Sequence, residues 1–132
     1  MTPVDQTRFS ENGDRGDCQS ACIASLLNMD MKDVPYFYEK NDTVYFFRAM
    51  NRFLALHGLI HLETSPVNFH QAHFKEATSC YHMIYGESPR GVRHAVVALN
   101  GEIVHDPHPS RAGLDLEKAD QWTFGWLVKG NS

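Results

Sequence analysis

Residues 18–29 read CQSACIASLLNM, a run with almost no polar face. Ala21, Cys22, Ile23, Ala24, Leu26, Leu27 and Met29 fall on nearly every side of a helical wheel, so a helix here must be surrounded by protein rather than lie on a surface. Asp17 stands at the N-cap position, and Pro35 closes the connection that follows. A chain of 132 residues has room for one domain, since domains run to about 100–200 residues. We therefore expect residues 1–132 to form a single domain built around this helix.

The remaining pattern changes period along the chain. A second helix is expected over residues 43–57, capped by Asp42 or Thr43 and stopped by Gly58, because Phe46, Phe47, Met50, Phe53 and Leu54 make one apolar stripe. A shorter helix is expected over residues 69–77. Residues 79–85, 92–99, 102–106 and 122–128 are short β-branched or aromatic runs separated by Gly, Pro and Asn, which predicts strands. Helices first and strands later argue for an α+β fold, with an antiparallel sheet packed on the central helix. Trp122 and Trp126, four residues apart in the last strand, are expected in the core.

Charge and hydropathy narrow the function classes. Twelve Lys+Arg against sixteen Asp+Glu give a net charge of −4, a poor footprint for gripping phosphates, so a nucleic-acid partner is not expected. No run approaches the ~18 apolar residues of a membrane span. The polar N-terminal residues lack the pattern of a signal or transit peptide, so a cytoplasmic protein with free thiols is expected.

Three cysteines and eight histidines remain to be explained. Cys18 follows the proposed cap, where unpaired N–H groups and the helix dipole favour an anion. Cys22, one turn deeper, and Cys80, in an apolar strand, are expected to pack as small core residues. A reactive thiol needs a base, and His94, at the start of the strand HAVVAL, is the best placed histidine. The chain then turns at Asn100-Gly101 and returns through EIVHDP to Asp106.

Register decides whether His94 and Asp106 meet. A three-residue loop over residues 99–101 pairs Ala98 with Glu102 and His94 with Asp106. A two-residue Asn-Gly turn opposes Asp106 to Ala95 and puts His105 on the face of His94 instead. Asn-Gly favours the shorter turn on propensity, but the longer loop is expected because it gives the histidine a carboxylate. The backbone N–H of Cys18 and one side-chain amide, from Gln6, Asn12 or Gln19, are the candidate donors to a developing oxyanion. Arg111, in the loop after Asp106, reaches either solvent or a bound substrate. His105, Asp106 and His108 also allow a metal reading, yet they lack the paired ligand spacing of a zinc site, and no metal is expected. His57, His61, His70, His73 and His82 share no spacing and are expected at the surface or at caps.

The segments GDCQSACIASLL and PRGVRHAVVALNGEIVHDPHPSRAGL resemble the papain-like cysteine peptidases. The resemblance is to their minimal branch, which includes the bacteriocin leader-processing domains and small stand-alone proteins of bacteriophage and bacteria. It implies Cys18 as nucleophile, His94 as general base and acid, Asp106 as the residue orienting His94, and Gln6, ahead of Asn12, as the oxyanion amide. It implies thioester chemistry on a peptide, isopeptide or small amide, with hydrolysis or acyl transfer as the outcome and no cofactor. If the chain is phage-encoded, its compartment is the host cytoplasm. Gln19 stands where leader-processing enzymes usually carry glycine, so double-glycine specificity is not expected. The competing expectation is a non-catalytic binding or inhibitory module on the same scaffold.

Overall fold

A computed structural model describes residues 1–10, 15–65 and 76–130. Helix α1 spans Cys18–Leu27, and its residues from Gln19 to Ser25 are all buried. It stops at Asn28, which takes a left-handed conformation (φ 56°), so Met29 lies outside the helix expected to contain it. Helix α2 spans Thr43–Leu56. Its cap is Asp42, whose carboxylate accepts from the Val44 N–H at 3.0 Å. Phe46, Met50, Phe53 and Leu54 form its buried face, while Phe47 is exposed.

Five strands make one antiparallel sheet: β1 (Leu59–Thr64), β2 (His82–Glu87), β3 (Arg93–Leu99), β4 (Glu102–His105) and β5 (Thr123–Lys129), in the order β1-β5-β2-β3-β4. The α+β expectation therefore holds. β1 is an element that apolar patterning did not indicate. LIHLET carries polar residues on one side and half-exposed Ile60 and Leu62 on the other, as an edge strand permits. The helix expected over 69–77 falls mostly on residues outside those described.

Alternation along the strands divides the core in two. Met83, Tyr85, Ala95 and Val97 pack with Ile23, Phe37, Met50 and Leu54 in the larger cluster. Ile84, Val96, Ala98, Phe124 and Trp126 form the second, with Leu114 and Trp122. Trp126 is a core residue, as expected, whereas Trp122 precedes β5 and is partly buried against the edge of the second cluster. β2 starts later than expected, at His82, and Cys80 is exposed rather than buried. His82 takes the interior position instead, stacked against Phe124 and Trp126 at 5.7 and 6.0 Å. Its placement overturns the expectation of a surface histidine, because alternation from His82 onward aims that ring into the second cluster.

The β3–β4 hairpin corrects the expected register. Leu99 pairs with Glu102, so the turn is the two-residue Asn100-Gly101 form, with φ values of 56° and 76°. Local turn propensity prevails over the longer loop. The ladder then slips: Ala98 pairs with Ile103 but Val97 pairs with His105, leaving Val104 as a bulge. That extra residue moves Asp106 back to the parity of Val96 and His94.

Gly86 sits opposite His94 in β2 and against the Trp122 ring, where an added Cβ falls 2.4 Å from ring carbon Cδ1. Gly86→Ala is expected to destabilise the fold by about 1–3 kcal/mol, as overpacking of a filled site does. Denaturant unfolding measures it, and an unchanged midpoint removes this packing constraint.

Candidate active site

Three consecutive residues build the start of α1. Gly16 leaves room for Gln6, since a Cβ there falls 3.2 Å from Gln6 Nε2 and 3.3 Å from the Arg8 carbonyl. Asp17 occupies the N-cap position but makes no side-chain cap. Its carboxylate instead accepts from the Thr7 N–H at 2.8 Å, the Arg8 N–H at 2.8 Å and the Thr7 hydroxyl at 2.6 Å. Cys18 opens the helix, half-buried. The first helical bond runs from Ala21 N–H to the Asp17 carbonyl, so the N–H groups before it have no acceptor within the helix.

The N-terminal segment crosses this start and is held along its length. Val4 N–H donates to Ser25 Oγ at 2.9 Å, and Gln6 N–H donates to the Pro107 carbonyl at 3.1 Å. Gln6 is thereby buried on the same cleft wall as Cys18. Its Nε2 donates to the Arg8 carbonyl at 2.9 Å, and its Oε1 is buried without a partner. Asn12 lies outside the described residues. Gln19, the third amide considered, is turned the other way: its Nε2 donates to the Tyr85 hydroxyl at 3.0 Å.

His94 and Asp106 meet as the bulge allows. Nε2 lies 2.6 Å from Asp106 Oδ1, with both side chains buried. Asp106 Oδ1 also accepts from His108 N–H at 2.9 Å, and Oδ2 from Gly113 N–H at 2.7 Å. The carboxylate is therefore fixed before it fixes the imidazole. The other edge of the ring, Nδ1, is not engaged by Asp106, and Cys18 lines the same cleft as His94. Burial opposes charge on His94, but the bonds and charges of Asp106 and Cys18 outweigh it and raise the imidazole to about 9. Burial likewise works against the Asp106 carboxylate, yet the bonds from His94, His108 and Gly113 bring it down to about 2.

His105, the alternative partner of His94, points elsewhere. Its Nε2 bonds the Val4 carbonyl at 2.9 Å and lies 3.4 Å from Asp5. Arg111 is not at the cleft that holds Cys18 and His94. It grips Asp5 through both guanidinium nitrogens, at 2.6 and 2.9 Å, and donates to the Asp106 carbonyl. Of the two settings the sequence left open for Arg111, the structure gives the one away from this cleft, half-exposed and paired with Asp5. Among the described residues no three His, Cys, Asp or Glu converge as metal ligands, and no helix is long and apolar enough to cross a membrane.

The cleft encloses about 380 Å³. Its back wall is a polar line that the sequence reading missed: His61 Nε2 lies 2.8 Å from the Tyr85 hydroxyl, which also receives Gln19. Burial lowers His61 and raises Tyr85, so both are neutral near pH 7. The one available signal was the alternation of Leu59, His61 and Glu63 along β1, which aims His61 toward the helices. No family model matches the chain, and searches of curated proteins and of solved structures find no match.

The raised His94 value couples the pair to stability. Protonated His94 stabilises the fold fully below about pH 6.5, and the contribution is lost as pH rises through about 9. Ionised Asp106 contributes above pH 3.8, and that is lost as pH falls through about 2. Asp106→Asn is expected to bring His94 down from about 9 toward the ordinary 6.5, read from the ring signals in an NMR titration. The part of the stability gap between the parent protein and this variant that comes from protonated His94 should be lost above about pH 9, so the gap narrows there. An unmoved titration separates the imidazole from the carboxylate.

Proposed function

We propose that the protein is a thiol-dependent acyl hydrolase, a cysteine peptidase or amidase, with Cys18, His94 and Asp106 in a papain-like arrangement. One observation carries the reading: a buried carboxylate fixed 2.6 Å from one edge of an imidazole that shares a cleft with a thiol at a helix N-terminus. At neutral pH the charged imidazole of His94 is the proton carrier available to the Cys18 sulfur on the same cleft.

The sulfur attacks a substrate carbonyl carbon, forming the S–C bond and placing a negative charge on the oxygen. The Cys18 N–H and the Gln6 amide are the donors to that charge. His94 gives its Nδ1 proton to the leaving nitrogen as the C–N bond breaks, which leaves a thioester. A water that loses its proton to His94 then attacks the thioester carbon, releasing the acid and the thiolate. An amine in place of that water turns hydrolysis into acyl transfer with the same residues. Peptides, isopeptides and small amides all present the required bond.

One observation favours the second reading, a binding or inhibitory module. The Gln6 amide already donates to the Arg8 carbonyl, a state in which a non-catalytic protein would leave it.

Alkylation separates the two, because accessibility and activation point to different thiols. Cys80 is exposed, Cys18 is half-buried and Cys22 is fully buried with its thiol pushed up by burial. With iodoacetamide at pH 7, read by peptide mass spectrometry, Cys18 is expected to react first, ahead of Cys80, with Cys22 unlabelled. His94→Ala should slow Cys18 by about tenfold or more. If Cys80 reacts first and His94→Ala changes nothing, the module reading stands.

A further inference from the structure

Gln6 is strung between the two halves of the candidate site. On one side the Thr7 and Arg8 N–H groups donate to Asp17, the residue before Cys18, each at 2.8 Å. On the other side Asp5 is gripped by Arg111, through Nη1 at 2.6 Å and Nη2 at 2.9 Å. The same Nη1 donates to the carbonyl of Asp106, the residue bonded to His94. One guanidinium thus joins the neighbour of the Gln6 amide to the backbone of the orienting carboxylate.

Stability does not account for this arrangement. The side chains of Arg111 and Asp5 are 49% and 50% exposed, and ion pairs so exposed contribute little. Arg111 also holds a left-handed backbone, φ 53°, a region that glycine and asparagine enter readily and arginine enters at a cost. Geometry does account for it. A planar fork meets both oxygens of a carboxylate in fixed directions, which a point charge does not. Two further ties run between the same loop and the N-terminal segment: His105 Nε2 to the Val4 carbonyl at 2.9 Å, and Gln6 N–H to the Pro107 carbonyl at 3.1 Å. A primary amide nitrogen carries two hydrogens, so the bond to the Arg8 carbonyl occupies one of those on Gln6 Nε2.

We propose that Arg111 is a positioning residue for the acylation step, holding the N-terminal segment so that Gln6 faces the oxygen of a carbonyl attacked by Cys18. The inference rests on the hydrolase reading and adds to it a residue outside the cleft. Arg111 touches no reacting atom and acts through Gln6. Its loss leaves the Val4 and Pro107 ties in place, so the amide is displaced rather than released. The effect falls on one oxyanion donor and not on the fold.

Two reagents separate this role from any effect on the sulfur itself. p-Nitrophenyl acetate is attacked at its carbonyl carbon: the S–C bond forms, charge develops on oxygen, and the C–O bond breaks to release p-nitrophenolate and leave an acetyl thioester. Iodoacetamide is attacked at its CH2 carbon, iodide leaves, and no oxyanion forms. In a Cys80→Ser background of the full chain both reagents report Cys18, since Cys22 is buried. The ratio of acylation rate to alkylation rate then reads stabilisation of the oxyanion. That ratio is expected to fall about tenfold in Gln6→Ala. It should fall about threefold in Arg111→Asn, a replacement that keeps the left-handed backbone. Asp5→Asn should match Arg111→Asn, and Arg111→Lys should recover part of the ratio. Gln6→Ala combined with Arg111→Asn should fall no further than Gln6→Ala alone. Protection of buried Cys22 reports that each variant is folded. A ratio unmoved in Gln6→Ala, unmoved in both Arg111→Asn and Asp5→Asn, or lowered additively in the double variant overturns the positioning role and leaves the hydrolase reading intact. Cys18 reacting no faster than Cys80 with iodoacetamide in the parent chain overturns the hydrolase reading, and this inference falls with it.

Discussion

The 2.6 Å bond between His94 and Asp106 depends on Val104, the residue that the β3–β4 ladder skips. Asn100-Gly101 imposes a tight turn whose twist suits a hairpin, and an uninterrupted ladder from that turn puts Asp106 on the wrong parity. A bulge costs a local break in pairing, which an edge strand with its outer side in solvent tolerates well. Burying an ion pair also carries a desolvation cost that the pair's attraction alone does not reliably repay. Here the carboxylate gains two backbone N–H donors, from His108 and Gly113, in the loop that follows the strand. The bulge and that loop act as one device, which aims Asp106 and then holds it.

A second polar device fixes the opposite wall. Asp17 gives up the usual capping role and spends its carboxylate on Thr7 and Arg8. Two consequences follow from one choice. The N-terminal segment that carries Gln6 is tied across the front of α1, and no carboxylate from within the helix start blocks the first-turn N–H groups beside Cys18. The Asp5–Arg111 pair and the His105 bond to Val4 fasten the same segment to the hairpin end. Arg111, which the sequence allowed to reach either solvent or substrate, and His105, the alternative neighbour of His94, thus serve the frame around the cleft.

Local chemistry made α1, α2 and four of the five strands legible, because their apolar periods and stop signals are strong. Cys18 and His94 were legible for the same reason: one opens a buried helix and the other a buried strand. Asp106 was found as a partner through the wrong register, since a bulge leaves no mark in a sequence of four residues, EIVH. Cys80 and His82 exchanged roles because shifting a strand's start past residues 79–81 moves which side chain enters the core. β1 escaped because an edge strand needs few apolar residues. The His61–Tyr85–Gln19 line joins β1, β2 and α1, and no local rule connects residues that distant.

Accessibility and chemistry divide the three thiols in different ways. Cys80 has the open surface, Cys22 has the core, and Cys18 has neither in full. What sets Cys18 apart is the pair of polar devices on either side of it: free N–H groups where Asp17 declined to cap, and an imidazole aimed by the slip at Val104. Neither device contributes an apolar contact, and the two hydrophobic clusters fold the sheet without them. Burying polar groups costs stability unless they are hydrogen-bonded, and the carboxylates of both devices are bonded at each oxygen. Their concentration around one half-buried sulfur is what the proposal of chemistry at Cys18 rests on.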